Sequence, residues 1–162
     1  MGRVILTVIT GFAIAFTFVG LKIYKRFAGD VSAAKTIEIT ANDQMRFDQQ
    51  NVVVTLGERV AFTLTNVGQQ PKETMGHNLV ILKRGVDPQA FGLNVVANGG
   101  TADNGYLPSD RSDIMAHTDV LGPGESQTIH CVFQEMGNYH FVCTFPGHVA
   151  TMHGSILAIE PR

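Results

Sequence analysis

The feature that most constrains this chain is a short loop near its C-terminus that carries a thiol, an imidazole and a thioether. The groups belong to Cys143, His148 and Met152, and Pro146-Gly147 between them provides a rigid turn followed by a permissive residue. A thiolate, two imidazoles and a weak axial thioether are the ligands of a blue copper electron-transfer site. The loop therefore predicts three of the four ligands of one copper ion.

The second imidazole has to come from another part of the chain, and His77 is our candidate. We expect three other histidines to be surface or hydrogen-bonded residues of strands: His117, His130 and His140. His153 competes with its neighbour Met152. Because adjacent residues of a strand point to opposite sides, only one of these two can face the metal.

The soluble part reads as many short strands separated by turn residues, which is typical of a sandwich or barrel. The predicted strands are Thr36–Thr40, Val52–Thr55, Val60–Thr65, His77–Leu82, Ile114–Val120, Ser126–Phe133, Asn138–Val142 and Gly154–Ile159. One helix is expected over Asp87–Asn98, between an Asp cap and Gly99-Gly100. Strand alternation places Cys131 on a buried face, as a free thiol.

The N-terminal part contains an uncharged run from Val4 to Leu21, about 27 Å long if helical, which is long enough to cross a bilayer core. We therefore expect a transmembrane anchor over 1–27, a linker over 28–34 and one domain over 35–162. The alternative is a cleaved signal peptide, for which Val31-Ser32-Ala33 resembles a cleavage site. Basic residues between the run and that site make cleavage there unfavourable.

Charge limits the classes of partner. Residues 1–30 carry four basic groups and one acidic group, so eight basic and thirteen acidic groups, a net charge of -5, remain for the rest of the chain. A nucleic-acid-binding domain would need clustered Lys and Arg, so we expect no nucleic acid partner.

Several sequence blocks, in matching order over residues 35–160, resemble azurins, bacterial members of the cupredoxin family. The blocks are Asn42-Asp43-Gln44-Met45-Arg46-Phe47, Met75-Gly76-His77-Asn78, Tyr106-Leu107-Pro108, Ala116-His117-Thr118, Gly122-Pro123-Gly124-Glu125 and Cys143-Thr144-Phe145-Pro146-Gly147-His148. The resemblance implies an all-β, eight-stranded Greek-key β-sandwich with a helical flap. It also selects Met152 over His153.

The resemblance implies further roles around the metal. The Gly76 carbonyl would approach copper opposite Met152, Asn78 would tie the two ligand loops together, and the Phe145 N–H would donate a hydrogen bond to the Cys143 sulfur. Such donors to a thiolate tune the reduction potential.

The sequence also departs from azurins. Lys35 and Gly57 stand where azurins carry disulfide cysteines, Leu79 replaces a core Trp, and Asn66 replaces a titrating His. The disulfide is therefore absent, and a pH-linked switch at the last position is not expected.

The expected function is one-electron transfer by a single copper ion that cycles between Cu(I) and Cu(II), without an enzymatic reaction. An oxidase or nitrite reductase would need a second copper centre with more clustered histidines, and the chain contains no His-x-His. A copper carrier or resistance protein, or a fixed subunit of a larger redox complex, remains the alternative.

We expect His148 to be the ligand nearest the surface, within a small apolar patch that suits brief docking of redox proteins. The patch residues are Met45, Met75, Phe145, Pro146 and Ala150. The expected partners are c-type cytochromes or respiratory or photosynthetic membrane complexes.

The expected location is the bacterial inner membrane, with the copper domain on the periplasmic side. Arg3 precedes the apolar run, and three basic residues follow it: Lys22, Lys25 and Arg26. Counting these charges slightly favours the opposite orientation, and the expectation therefore rests on the function.

Overall fold

The computed structural model of the chain describes residues 35–161. Within that range the chain forms nine strands: β1 (Lys35–Asn42), β2 (Arg46–Phe47), β3 (Asn51–Thr55), β4 (Arg59–Asn66), β5 (Val80–Leu82), β6 (Ile114–His117), β7 (Ser126–Val132), β8 (Gly137–Val142) and β9 (His153–Ile159). The same range contains two helices, α1 (Lys72–Met75) and α2 (Pro88–Leu93), and a 3₁₀ turn at Ala102–Asn104.

The strands form two sheets with the orders β2-β1-β4-β7 and β3-β9-β8-β5-β6. Pairing is antiparallel except between β1 and β4 and between β3 and β9, which run parallel. The prediction of an all-β, two-sheet fold is therefore confirmed. The predicted number of eight strands was too low by one, because the two-residue β2 pairs with the end of β1. Such a short strand leaves no alternation to detect.

Three segment boundaries differ most from the prediction, and the first is the end of β6, which lies at His117 and not at Val120. The strand expected from His77 is regular only from Val80, since His77 forms an isolated bridge with Leu121. The predicted helix starts as expected, with the Asp87 side chain accepting the Ala90 N–H at 2.7 Å, but ends at Leu93. The Asn94 side chain donates to the Ala90 carbonyl at 2.8 Å and so binds the last turn of α2.

Helix α1 lies in a stretch for which no helix was predicted. It follows Pro71, and the N–H groups of Thr74 and Met75 donate to the Pro71 carbonyl at 3.0 and 2.9 Å. Four residues make one turn, which is too short for helical periodicity to show in the sequence.

The core lies between the sheets and contains residues from both. Edge-to-face aromatic pairs cross it, with ring centroids 5.4 Å apart for Phe47 and Phe141 and 6.3 Å apart for Phe62 and Phe133. Leu79 is fully buried. Cys131 is a buried free thiol, as the alternation predicts, and burial raises its pKa to about 12. That thiol is therefore chemically inert at neutral pH.

Within residues 35–161, neither helix has the length and apolar character needed to cross a bilayer. The span expected over 4–21, its anchor over 1–27 and the linker over 28–34 lie outside the described residues.

Candidate metal centre

Strand pairing brings the two candidate ligand segments to one edge of a sheet. β5 and β8 run antiparallel with Val80 opposite Val142, so the residues before β5 and after β8 meet at the same end. His77 precedes β5 and exchanges two backbone hydrogen bonds with Leu121, at 3.1 and 2.7 Å. Cys143 follows β8 directly, and its N–H donates to the Met152 carbonyl at 2.9 Å. Both segments are thus held by main-chain bonds.

The side chains of His77, Cys143 and His148 meet at this end. Their ligand atoms all lie within 4.8 Å of one another, and the Cys143 Sγ is 3.6 Å from the His148 Nδ1. The two imidazole centroids are 5.0 Å apart. All three residues are buried, with 0%, 0% and 3% of their surface exposed in chain order. One ion could contact all three groups at once.

The turn of the C-terminal loop aims His148 at this group. The His148 N–H donates to the Phe145 carbonyl at 3.1 Å, and the Met152 N–H donates to the His148 carbonyl at 2.9 Å. Gly147, which lies between Phe145 and His148, has a φ of 83°, a conformation that a residue with a side chain rarely adopts. The Phe145 ring lies against the imidazole of His148, with centroids 4.7 Å apart. The imidazole therefore has a fixed direction.

Burial sets the protonation of the three groups. It lowers the pKa of His148 to about 4, helped by the nearby His77, and it also lowers the pKa of His77. Burial raises the pKa of the Cys143 thiol to about 11, although the nearby backbone N–H groups of Asn78 and Phe145 oppose this rise. At neutral pH both imidazoles are thus neutral, with lone pairs free for a metal. The two amides already face the sulfur that would become the thiolate.

A metal ion would resolve an otherwise unfavourable arrangement at His77. Both ring nitrogens of this residue are buried and have no hydrogen-bond partner. Leaving such a group unsatisfied costs roughly 1 to 3 kcal/mol. The nearby Asn42 carbonyl opposes the lowering of the His77 pKa, as does the charge of Asp43, without reaching hydrogen-bond geometry. The residues present therefore fit a metal ion, and their one sulfur and two nitrogens suit copper.

Asn78 connects the two ligand segments through its side chain. Its Oδ1 accepts the Thr144 N–H at 2.8 Å, and its Nδ2 donates to the Thr144 Oγ1 at 2.7 Å and to the Gly105 carbonyl at 3.1 Å. Asn78 and Thr144 are both buried. The residue after His77 thus fixes the residue after Cys143, which preserves the spacing of the two ligands.

The other residues predicted for the metal lie at the same end. Met152 is fully buried and closes the C-terminal loop through its backbone. Gly76 has no room for a side chain, because a Cβ there would overlap Val120 and lie 2.5 Å from the Lys72 carbonyl oxygen.

Most residues predicted for docking lie in the segments that carry the ligands, and Met45 accepts a hydrogen bond from Thr151 of the same loop. Pro146 and Ala150 are exposed, Met45 and Met75 are partly buried, and Phe145 is 6% exposed.

Three of the remaining histidines have other contacts, and the fourth, His130, is exposed on β7. His153 lies 3.4 Å from Gln89 of α2, His117 contacts Arg111, and His140 contacts the Gly154 carbonyl. Among residues 35–161, His77, Cys143 and His148 form the only group of three or more potential metal-ligating side chains.

Sequence reasoning missed Leu121 and Thr144, which hold the ligand segments. Thr144 lies inside the Cys143 to His148 block, and its position next to a ligand was the available signal. Leu121 carried no such signal, since it contributes only backbone groups.

Comparison with known proteins agrees with this geometry. The family model for copper binding proteins of the plastocyanin/azurin family matches residues 33–158. The azurin of Bordetella pertussis is 34% identical over 146 residues, which cover 87% of this chain and 95% of that protein. Outer membrane protein H.8 of Neisseria gonorrhoeae is 37% identical over 132 residues, which cover 80% of this chain and 69% of that protein.

Solved structures share the fold. The dithionite-reduced auracyanin from the photosynthetic bacterium Roseiflexus castenholzii matches with a TM-score of 0.67 and 33% identity, over 79% of this chain and 99% of that one. An azurin from Methylomonas sp. strain J matches with a TM-score of 0.67 and 25% identity, over 79% of this chain and all of that one.

Proposed function

Because the chain belongs to the plastocyanin/azurin family of copper binding proteins, we propose that it is a type 1 copper protein that carries single electrons between redox partners. The observation that carries this proposal is the buried group of His77, Cys143 and His148, whose ligand atoms lie within 4.8 Å of one another. Copper, when bound, would supply the one-electron couple between Cu(I) and Cu(II).

The chain's own residues hold the site in one geometry before and after transfer. Asn78 fixes the spacing between the segments of His77 and Cys143, and the backbone N–H groups of Phe145 and Asn78 would stabilise the Cys143 thiolate once copper replaces its proton. We propose that Met152 and the Gly76 carbonyl would help to hold the copper ion, together with His77, Cys143 and His148. Because these groups are buried and tied to the backbone, they would move little when the charge of the site changes.

Partner binding would occur around His148. Pro146 and Ala150 are exposed residues of the ligand loop itself. The partly buried Met45 accepts a hydrogen bond from Thr151 of this loop, and the partly buried Met75 lies two residues before His77. Small apolar interfaces suit brief redox encounters. The excess of acidic groups in the domain favours a partner with a basic rim around its own docking surface, and c-type cytochromes are our candidate partners.

We place the domain outside the cytoplasm, on the periplasmic side of the bacterial inner membrane, with the apolar run at 4–21 as its tether. The length of this run supports the tether, and the similarity to a Neisseria protein named for the outer membrane supports only a position outside the cytoplasm. Tethering would raise the effective concentration near membrane-bound partners. Sedimentation with membranes of the full chain, but not of a chain that begins at residue 28, tests the tether; equal sedimentation of both would contradict it.

A redox titration of the copper-loaded protein tests the function. We expect reversible transfer of one electron per chain, accompanied by bleaching and recovery of an intense visible band. A colourless protein that retains only Cu(I) would instead support copper storage or delivery.

A further inference from the structure

The β1–β2 turn, residues 42–45, contacts the copper end of the domain from the side. The Asn42 Oδ1 accepts the Gln44 N–H at 3.0 Å, which shapes the turn, and Met45 has a positive φ of 53°. The Met45 carbonyl accepts a hydrogen bond from the Thr151 hydroxyl at 2.8 Å, inside the loop that carries His148. The turn is therefore connected to the ligand loop.

Asp43 in the middle of this turn reaches a third segment. Its carboxylate accepts the Gln69 N–H at 2.8 Å and the Gln70 N–H at 3.3 Å, and the residue is partly buried. Gln69 and Gln70 lead into α1, which precedes His77. One carboxylate thus holds the chain on the approach to a ligand.

Gly68 makes this approach possible. A Cβ on Gly68 would overlap the Asp43 carboxylate. The φ of Gly68 lies outside the positive range, so alanine could adopt its backbone conformation, and its Cβ would displace the Asp43 carboxylate and press more weakly on the Asn66 Oδ1, 3.0 Å away.

The negative charge of Asp43 lies at the copper end of the domain. Its carboxylate is hydrogen-bonded to the segment that leads to His77, and its turn is hydrogen-bonded to the loop that carries His148. A negative charge near the imidazole favours extra positive charge at the site, and a partly buried position reduces screening by solvent.

We propose that Asp43 is a positioning residue of the copper centre, which holds the β1–β2 turn and the 68–70 loop beside His77 and favours the oxidised, more positively charged state of the site. This inference rests on the proposed function. Asp43 makes no hydrogen bond to any of the expected ligands, so it would act on the site through the segments that it holds and through its charge.

The test compares Asp43→Asn with Asp48→Asn. Asparagine keeps an oxygen that can accept the Gln69 N–H but removes the charge. Asp48 also caps a backbone N–H, that of Thr40 at 2.7 Å, and is exposed. We expect the reduction potential to rise in Asp43→Asn and to change less in Asp48→Asn. An unchanged potential in Asp43→Asn, or equal shifts in both variants, would overturn the charge effect.

The positioning role of Asp43 is tested in the copper-free protein. Gly68→Ala displaces the carboxylate and keeps its charge, so we expect faster amide hydrogen exchange at Gln69 and Gln70. Wild-type exchange rates in Gly68→Ala and in Asp43→Ala would overturn the positioning role. Failure of the proposed function would appear differently, as a wild-type protein that shows no reversible one-electron step.

Discussion

Cys143 shows how burial prepares a residue for a metal. In the copper-free protein its pKa of about 11 keeps the thiol protonated at neutral pH, and a copper ion would take the place of that proton. Two backbone amides face the sulfur, so part of the cost of the buried anion is offset before any cation arrives. The residue that would be an inert thiol elsewhere in this core, as Cys131 is, becomes a ligand through its neighbours.

His148 makes the copper-free protein sensitive to acid. Its pKa is about 4 when folded and about 6.5 when unfolded, so between these values the unfolded chain binds a proton that the folded chain does not. The free energy of unfolding should therefore fall as the pH drops from 6.5 to 4, by about 3 kcal/mol from this residue. The lowered pKa of His77 acts in the same direction.

Urea unfolding of the copper-free protein at a series of pH values measures this loss. His148→Gln should reduce the slope, whereas His130→Gln, at an exposed position of β7, should leave it unchanged. A wild-type stability that stays constant from pH 7 to pH 4 would show that neither imidazole is buried neutral.

The turn between α1 and β5 limits which residues can precede His77. Gly76 lies where Val120 and the Lys72 carbonyl leave no room for a Cβ. Gly76→Ala should shift the segment that carries His77, lower the stability by roughly 1 to 3 kcal/mol and weaken copper binding. Thermal unfolding and competition with a copper chelator measure these effects.

Gly57→Ala is the control for this substitution. Gly57 has a φ of 75° with open space around it, so alanine there brings backbone strain without a collision. Its stability should fall and its copper affinity should not. Equal copper affinities in Gly76→Ala and the wild-type protein would contradict the tight packing behind His77.

The sequence predicted elements better where chemistry or alternation marked them. The Cys143 to Met152 loop was recognisable because its residue types are those of a metal site, and His77 followed from the need for a second imidazole. β2 and α1 were missed because two and four residues show no period. The bridge between His77 and Leu121 depends on backbone atoms of distant residues, which no local pattern encodes.

The candidate copper site lies at one end of the domain, and the turn at Met136 lies at the other end. β8 begins after the turn at Met136 and ends before Cys143, so its length of about 20 Å lies between them. Met136 is 55% exposed, and the partly buried Met75 lies beside His77. The two methionines offer the same substitution at near and far positions.

Met75→Lys should slow electron transfer to a basic cytochrome and leave the visible spectrum unchanged, because a charge at the docking surface opposes both desolvation and the basic partner. Met136→Lys changes the net charge equally and should have little effect. Stopped-flow rates at low and high salt measure both variants. Equal slowing by both would place docking elsewhere on the molecule.

The most direct test of the account is electron paramagnetic resonance together with visible absorption of the oxidised, copper-loaded protein, compared with Cys143→Ser. We predict one copper per chain, an intense sulfur-to-copper charge-transfer band and a narrow copper hyperfine splitting, with the band absent in Cys143→Ser. A wild-type protein that binds oxidised copper without that band, or a Cys143→Ser variant that keeps it, would contradict a copper centre built on His77, Cys143 and His148.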